Sequence, residues 1–226
     1  MDANYFKEKT AEIEARINEF MDDGLKLFIG SSFQTHSIPL LHIVTSISKE
    51  IPVYFIDTGF HFPETLIYRD QIAELFGIEV INTHSVVSKN LQCDADGNLY
   101  FASDPDHCCY LNKIQPLEPV LIAHDVWING IRAEQSAHRK TMGSVIKGPF
   151  DTLRYHPVLH WTNKDIFYYR KLHNLPPHPL EEKGYLSIGC EPCTRKIDPS
   201  GDERAGRWFG MKKTECGLHT ELVGNK

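Results

Sequence analysis

The sequence predicts an α/β protein built on a doubly wound, mostly parallel sheet, with a loop-rich C-terminal tail. Three observations carry this. Apolar runs of four or five residues alternate with longer amphipathic segments, the order that parallel β-α-β units produce. Several of these runs end in turn-forming groups, namely Gly30-Ser31-Ser32, Asp57-Thr58-Gly59 and Asn129-Gly130. After Leu175 the composition shifts to Pro, Gly and charge, and the alternation stops.

Residues 4–22 set Phe6, Ile13, Ile17, Phe20 and Met21 at helical spacing and stop before Gly24. Residues 25–29 read as a short strand and 36–47 as a helix. Residues 52–56 form a second strand. A helix over 63–76 follows, with Pro63 near its start, where a missing N–H costs least. Residues 78–81 are a third strand, and Asp96-Gly97 suggests a small hairpin. Helix signals return over 109–117, a strand over 126–130 and a short helix over 134–140. An extended segment spans 153–159 and a helix 163–172. The loops 30–37, 57–63 and 130–139 then fall at the carboxyl ends of strands, where such sheets bind ligands. This gives one α/β domain over residues 1–200 and a flexible segment over 201–226.

The chain has 226 residues, with 24 Lys+Arg against 30 Asp+Glu and a net charge of −6. That balance argues against duplex nucleic acid, whose phosphates need a basic face. It leaves room for a small anion in a local basic pocket. No apolar run reaches the roughly 18–20 residues of a membrane span. The N-terminus shows no secretory pattern, so a cytoplasmic protein off the membrane is expected.

In a reducing compartment cysteines serve more often as metal ligands or reactive thiols than as disulfides. Cys108 and Cys109 are adjacent, eighty residues follow, and Cys190-Glu191-Pro192-Cys193 comes next. Cys216 stands alone near the end. The pattern reads as four ligands, one nucleophile at Cys216 and a structural thiol at Cys93. Zinc holds four thiolates at about 2.3 Å, and neighbouring residues rarely aim both side chains at one ion. A [4Fe–4S] cluster offers each thiolate its own iron. The cluster is therefore preferred, with zinc second.

Other motifs have two readings each. Ser31 and Ser32 lie between a strand and a helix, as an anion site or as an ordinary capped helix start. Gly59 could let the backbone approach a flat base, or merely close a βα turn. Arg132 and Arg139 could grip an oxyanion or be solvated helix charge. Arg204 and Arg207 sit three apart around Gly206. Cys216 lies near Lys213 and His219, and cationic neighbours lower a thiol pKa. Otherwise it is a solvated tail cysteine. Asp94-Ala95-Asp96-Gly97-Asn98 has its Gly too early for a calcium loop.

Taken together, residues 31–37, 57–65, Cys108-Cys109 with Lys113, 130–136, 190–193, 202–208 and 213–219 resemble the assimilatory sulfonucleotide reductases. The iron–sulfur adenylylsulfate (APS) reductase branch is the better match, through Cys-Cys…Cys-x-x-Cys with a terminal Glu-Cys-Gly-Leu-His. The resemblance implies an adenine nucleotide α-hydrolase-like fold. It implies that Cys216 attacks the sulfate sulfur of APS, expels AMP and carries an S-sulfonate. Thioredoxin or a glutaredoxin-like thiol then releases sulfite, a step of sulfate assimilation and cysteine biosynthesis. It also implies a [4Fe–4S] cluster on Cys108, Cys109, Cys190 and Cys193, with Lys113 between cluster and substrate. Arg132, Arg204 and Arg207 match substrate-anion contacts. Ser31 and Ser32 occupy the phosphate-loop position, and Thr58 and Gly59 join the substrate site. In this loop Ser32-Phe33-Gln34-Thr35-His36 replaces the Ser-Gly-Ala-Glu-Asp type, so phosphoadenylylsulfate (PAPS), alone or as well, stays an alternative. An ATP-pyrophosphatase-type enzyme would need a Ser-Gly-Gly-x-Asp-Ser loop, which is missing. A non-catalytic metal-binding protein is the third reading, and a homo-oligomer stays open.

Overall fold

The apolar runs become strands because their alternate side chains have a hydrophobic layer to enter on each face. Six strands form: β1 (Leu27–Gly30), β2 (Val53–Ile56), β3 (Val80–Thr83), β4 (Val126–Asn129), β5 (Val145–Lys147) and β6 (Leu153–Tyr155). In the computed structural model, which describes residues 3–197, 204–211, 213, 215–219 and 222, they make one sheet in the order β3-β2-β1-β4-β6-β5. All pairings are parallel except β5 with β6. In register, Ile29 faces Val53 and Gly30 faces Asn129.

The helices are α1 (Ala3–Asp22), α2 (Ile38–Ile47), α3 (Pro63–Phe76), α4 (Tyr100–Ser103), α5 (Pro105–Cys109), α6 (Gln115–Ala123), α7 (Ala137–Lys140) and α8 (Asn163–Leu172). Leu27, Ile29, Val126 and Ile128 point to one face and pack with Ile17 and Phe20 of α1, Leu41 and Val44 of α2, and Tyr169 of α8. Phe28 and Trp127 point to the other face and pack with Ile114, Leu117, Leu121 and Leu222. α8 starts on a reciprocal cap: Thr162 accepts from the Asp165 backbone N–H, and Asp165 accepts from the Thr162 backbone N–H. α3 ends on Gly77 in the left-handed region, at φ 60°.

Several expectations change in detail. The expected helix over 109–117 is the middle of a composite rod: α5, a π-helical turn (Tyr110–Ile114), then α6. Pro116 and Pro119 lack the N–H groups that would bond the carbonyls of residues 112 and 115. The helix expected over 134–140 is a 3₁₀ turn (Ala133–Gln135) and then α7. The hairpin at residues 96–97 is a single bridge, Cys93 to Leu99. The short edge strand β5 was not foreseen. It joins β6 through a turn with Phe150 and Asp151 at positive φ (55° and 58°), and neither is a glycine or asparagine.

The β-order reverses between β1 and β4. Such a reversal opens a crevice at the carboxyl ends of those strands. Two stretches of the C-terminal segment are fixed to the rim: Trp208 and Leu222 are buried, and the Trp208 N–H donates to the Cys193 carbonyl at 3.0 Å. Residues 201–203, 212, 214, 220, 221 and 223–226 of the segment expected to be flexible lie outside the described residues. Among the described residues no helix is long and apolar enough to cross a membrane.

Ile128 is fully buried, whereas Ile122 is 66% exposed. Ile128→Ala is expected to cost about 3–4 kcal/mol in denaturant unfolding, and Ile122→Ala to stay within about 0.5 kcal/mol. Equal costs would contradict the burial pattern.

Candidate active site

A cavity of about 210 Å³ lies over the carboxyl ends of β1 and β4. Gly30, Ser31 and Ser32 line it from β1, Thr58 from β2, and Asn129 and Gly130 from β4. Three of the loops expected to hold ligand therefore converge. Ser31 is buried, and its Oγ accepts from the Phe33 N–H at 3.2 Å. Phe33 holds φ 52° and is locked by packing edge-on against Phe55. On β4, Trp127 and Asn129 share a face. The Trp127 indole N–H and both amide atoms of Asn129 are buried at the cavity wall without hydrogen-bond partners among the described residues. Buried polar atoms of this kind suit a ligand with a polar edge.

Beside the cleft a much smaller cavity, about 10 Å³, is lined by Cys108, Cys109, Cys190 and Cys193 together. The first two sit at the end of α5. The other two sit on a loop tied to the β2 turn, where the Glu191 N–H donates to the Phe60 carbonyl at 2.7 Å. Thr58 Oγ1 lies 3.3 Å from Cys190 Sγ, and Asn112 Nδ2 lies 3.7 Å from Cys108 Sγ. Burial, then the neighbouring thiols, pushes Cys108 up to about 12. Burial and Cys190 push Cys193 up to about 11. Among the described residues no three His, Cys, Asp or Glu side chains are set at the spacing of a single-ion site.

Lys113, on the π-helical turn, lines both cavities. Its Nζ stands 3.9 Å from Cys216 Sγ. Burial alone would favour a neutral amine, but Cys190, Cys216 and Cys109 outweigh it and its pKa is raised. Burial alone would likewise raise the Cys216 thiol. The Lys113 charge, the Leu218 backbone N–H and Arg207 overcome this, and the net shift is downward. Opposite unit charges 4 Å apart attract by about 4 kcal/mol at an effective dielectric near 20. Cys216 thus lines the cleft with a cation beside its sulfur, which favours the ionised form.

Arginines complete the wall, but not all those expected. Arg139, Arg204 and Arg207 line the cleft. Arg132 does not join them. It is fully buried and turned away, bonded to Glu134 at 2.8 Å, to Asn163 and to the Trp161 carbonyl. Of the two arginines in that motif, Arg139 is the one that reaches the site. Gly59 also stays off the cleft. It takes φ 68°, a conformation that favours glycine, and closes the turn after β2. Arg207 Nη1 donates to the Ile188 carbonyl at 3.2 Å, while its Nε has no partner among the described residues. Lys213 pairs with Asp106, and the side chain of His219 lies outside the described residues.

One residue was missed outright. Glu215 is buried, 7% exposed, between two of the arginines. Oε1 accepts from Arg139 Nη2 at 2.8 Å, Arg204 Nη2 at 2.9 Å and the Cys216 backbone N–H at 3.0 Å. Oε2 accepts from Arg139 Nε at 3.0 Å and Ser136 Oγ at 3.1 Å. Burial would raise its carboxyl, but the hydrogen bonds and charges of Arg139 and Arg204 and the Cys216 N–H pull it from 4.5 down to about 2. The signal was its place beside Cys216, since buried cations need a counter-ion.

Residues 26–196 match the family described as the phosphoadenosine phosphosulfate reductase domain. A protein of Chelativorans sp. (strain BNC1) named adenosine 5'-phosphosulfate reductase is 39% identical over 209 residues, 92% of this chain and 84% of that one. Adenosine 5'-phosphosulfate reductase 1 of Bacillus subtilis (strain 168) is 36% identical over 198 residues, 87% of this chain and 85% of that one. Among solved structures, a phosphoadenylyl-sulfate (PAPS) reductase from Candida auris matches with a TM-score of 0.65 at 17% identity, over 84% of this chain and 96% of that one. FMN adenylyltransferase of Candida glabrata matches with a TM-score of 0.57 at 15% identity, over 89% and 66%. At such identities these two bear on the fold alone, which is adenine nucleotide α-hydrolase-like.

Because the folded Glu215 carboxyl titrates below its ordinary 4.5, its pairing stabilises fully above that pH and is lost as pH falls toward 2. Wild type is expected to exceed Glu215→Gln in unfolding free energy by roughly 3 kcal/mol near neutral pH, with the gap closing in acid. A gap unchanged between neutral pH and acid would contradict the assignment.

Proposed function

This chain belongs to the phosphoadenosine phosphosulfate reductase domain family, and from that premise we propose a thiol-driven reduction of APS with Cys216 as nucleophile. The chain is a sulfur-group oxidoreductase that reduces APS to sulfite and AMP in sulfate assimilation. One observation supports the nucleophile above all: Cys216 Sγ faces a nucleotide-sized cleft at a strand-order reversal, 3.9 Å from a buried ammonium.

The Cys216 thiolate attacks the sulfate sulfur. The bond from that sulfur to the AMP phosphate oxygen breaks, and AMP leaves with the electron pair. Cys216 then carries an S-sulfonate. A thiolate of thioredoxin, or of a glutaredoxin-like protein, attacks Cys216 Sγ and expels sulfite with its electron pair. A second thiol of the reductant resolves the mixed disulfide. Two thiols are oxidised to one disulfide, and the sulfate sulfur takes up two electrons. No other reductant is needed.

The attack brings anion to anion, so cations must stand at the meeting point. Lys113 and Arg207 flank the thiolate. Ser31, Ser32 and Thr58 supply hydroxyls toward the nucleotide. Wall residues such as Ser31, Thr58 and Asn129 are buried, and charges act more strongly in such a setting. For the second step the segment bearing Cys216 has to open toward the reductant.

Cys108, Cys109, Cys190 and Cys193 fit a [4Fe–4S] cluster, for they present four sulfurs to one cavity, with hydrogen-bond partners Thr58 and Asn112 beside them. When bound, it supplies structural closure and a charged neighbour to Lys113. The electrons come as thiols.

Mixing the protein with APS and no reductant should add one sulfonate, located on Cys216 by mass spectrometry. Cys216→Ser should take up none and make no sulfite. A sulfonate on Cys93, or full activity of Cys216→Ser, would overturn the assignment. Equal or better turnover of PAPS would overturn preference for APS. Protein purified without oxygen should be brown, with iron and acid-labile sulfide in equal amounts. Colourless protein holding zinc would contradict the cofactor assignment.

A further inference from the structure

The chemistry above gives Glu215 no part, yet the structure builds around it. A buried carboxylate next to a nucleophile in an anion-binding cleft is costly on two counts. It loses hydration, and it repels both the thiolate and the arriving sulfate. Here Arg139 meets it with two parallel N–H donors, a geometry that fixes direction as well as distance. Arg204 and Ser136 add to this from separate parts of the chain. The oxygen that Arg139 and Arg204 share also accepts the backbone N–H of Cys216. The nucleophile's backbone is therefore referenced, through one oxygen atom, to Arg139 on α7 and to Arg204 in the preceding tail segment.

We propose that Glu215 is the positioning residue of Cys216, keying the nucleophile's segment into the cleft through Arg139 and Arg204 and so seating the sulfur beside Lys113. The inference rests on Cys216 being the nucleophile. Two consequences follow. Arg139 and Arg204 each bind an anion of the protein itself, so that among the described lysines and arginines lining the cleft Lys113 and Arg207 are the ones not bonded to Glu215. The seat is also reversible by nature. When the segment lifts, the carboxylate and both guanidinium groups regain water, which offsets much of what the ion pairs lose. An apolar anchor would have no such compensation.

The test is labelling of Cys216 by a polyethylene-glycol maleimide too large to enter the cleft, without nucleotide, with Cys93 as internal reference. Glu215→Gln should label about tenfold faster than wild type at Cys216, with Cys93 unchanged. Glu215→Asp keeps the charge on a shorter arm and should fall between the two. At saturating APS, Glu215→Gln should form the S-sulfonate about tenfold more slowly in a single turnover. Wild-type rates of both labelling and sulfonation in Glu215→Gln would overturn the proposal, and so would an equal acceleration at Cys93, which reports general loosening. If wild type takes no sulfonate from APS, the functional reading fails while the labelling still decides the seat.

Discussion

A single ammonium group stands between two populations of sulfur, and the rest of the site depends on it. Lys113 faces Cys216 on one side and the four-cysteine cavity on the other. In the proposed reaction, attack by a thiolate on the sulfur of a phosphate–sulfate anhydride requires two anions to approach in a medium of low polarity, where repulsion is least screened. A buried cation at that point favours the ionised sulfur and would offset its repulsion toward the incoming group. The π-helical turn places the cation there, between α5, which carries Cys108 and Cys109, and α6, which packs on the sheet through Leu117 and Leu121. The protein as a whole is acidic, at −6, so cations gathered in this one cleft produce a local field opposite to that of the surface.

The sheet supplies the geometry that makes such a gathering feasible. Where the strand order reverses between β1 and β4, the following loops diverge and leave a crevice, and backbone N–H groups there point outward. Loops after β1, β2 and β4 bring hydroxyls and buried polar edges. The composite rod brings Lys113, and the C-terminal segment returns with Arg204, Arg207 and Cys216. Residues far apart in the chain meet because each is fixed to an element that the apolar core already holds. The core on the Phe28–Trp127 face extends to Leu222, beyond Cys216, so along the chain Cys216 lies between two buried anchors, Trp208 and Leu222.

Much of this was legible in the sequence, for identifiable reasons. Helix α8 starts and stops where the pattern placed it, because a capping box and a clear apolar stripe coincide. The strands over β1 to β4 lie within two residues of expectation, and β1, β2 and β4 are apolar runs closed by a turn signal. The cysteine spacing pointed to a common site, and the structure brings all four thiols to one cavity. What escaped depends on side-chain direction or long-range partners. Arg132 and Arg139 share a motif, and partners distant in sequence or in side-chain direction, among them Glu134, Asn163 and the Trp161 carbonyl, hold Arg132 in the interior. Glu215 makes sense only once Arg139 and Arg204 are seen around it. Strand β5 is three residues long, and its turn uses Phe150 and Asp151 at positive φ in place of the glycine that would have announced it. Gly59 had two readings, a close approach to a flat base or the closing of a βα turn, and at φ 68° outside the lining of the cleft it takes the second.

If the ammonium of Lys113 governs the ionisation of Cys216, the link can be read without substrate. The rate of Cys216 alkylation by iodoacetamide, followed across pH with the product located by mass spectrometry, reports the thiolate directly. Wild type should show an inflection below the ordinary thiol range, and Lys113→Met should move it upward. The same inflection in both proteins would contradict the account at its centre.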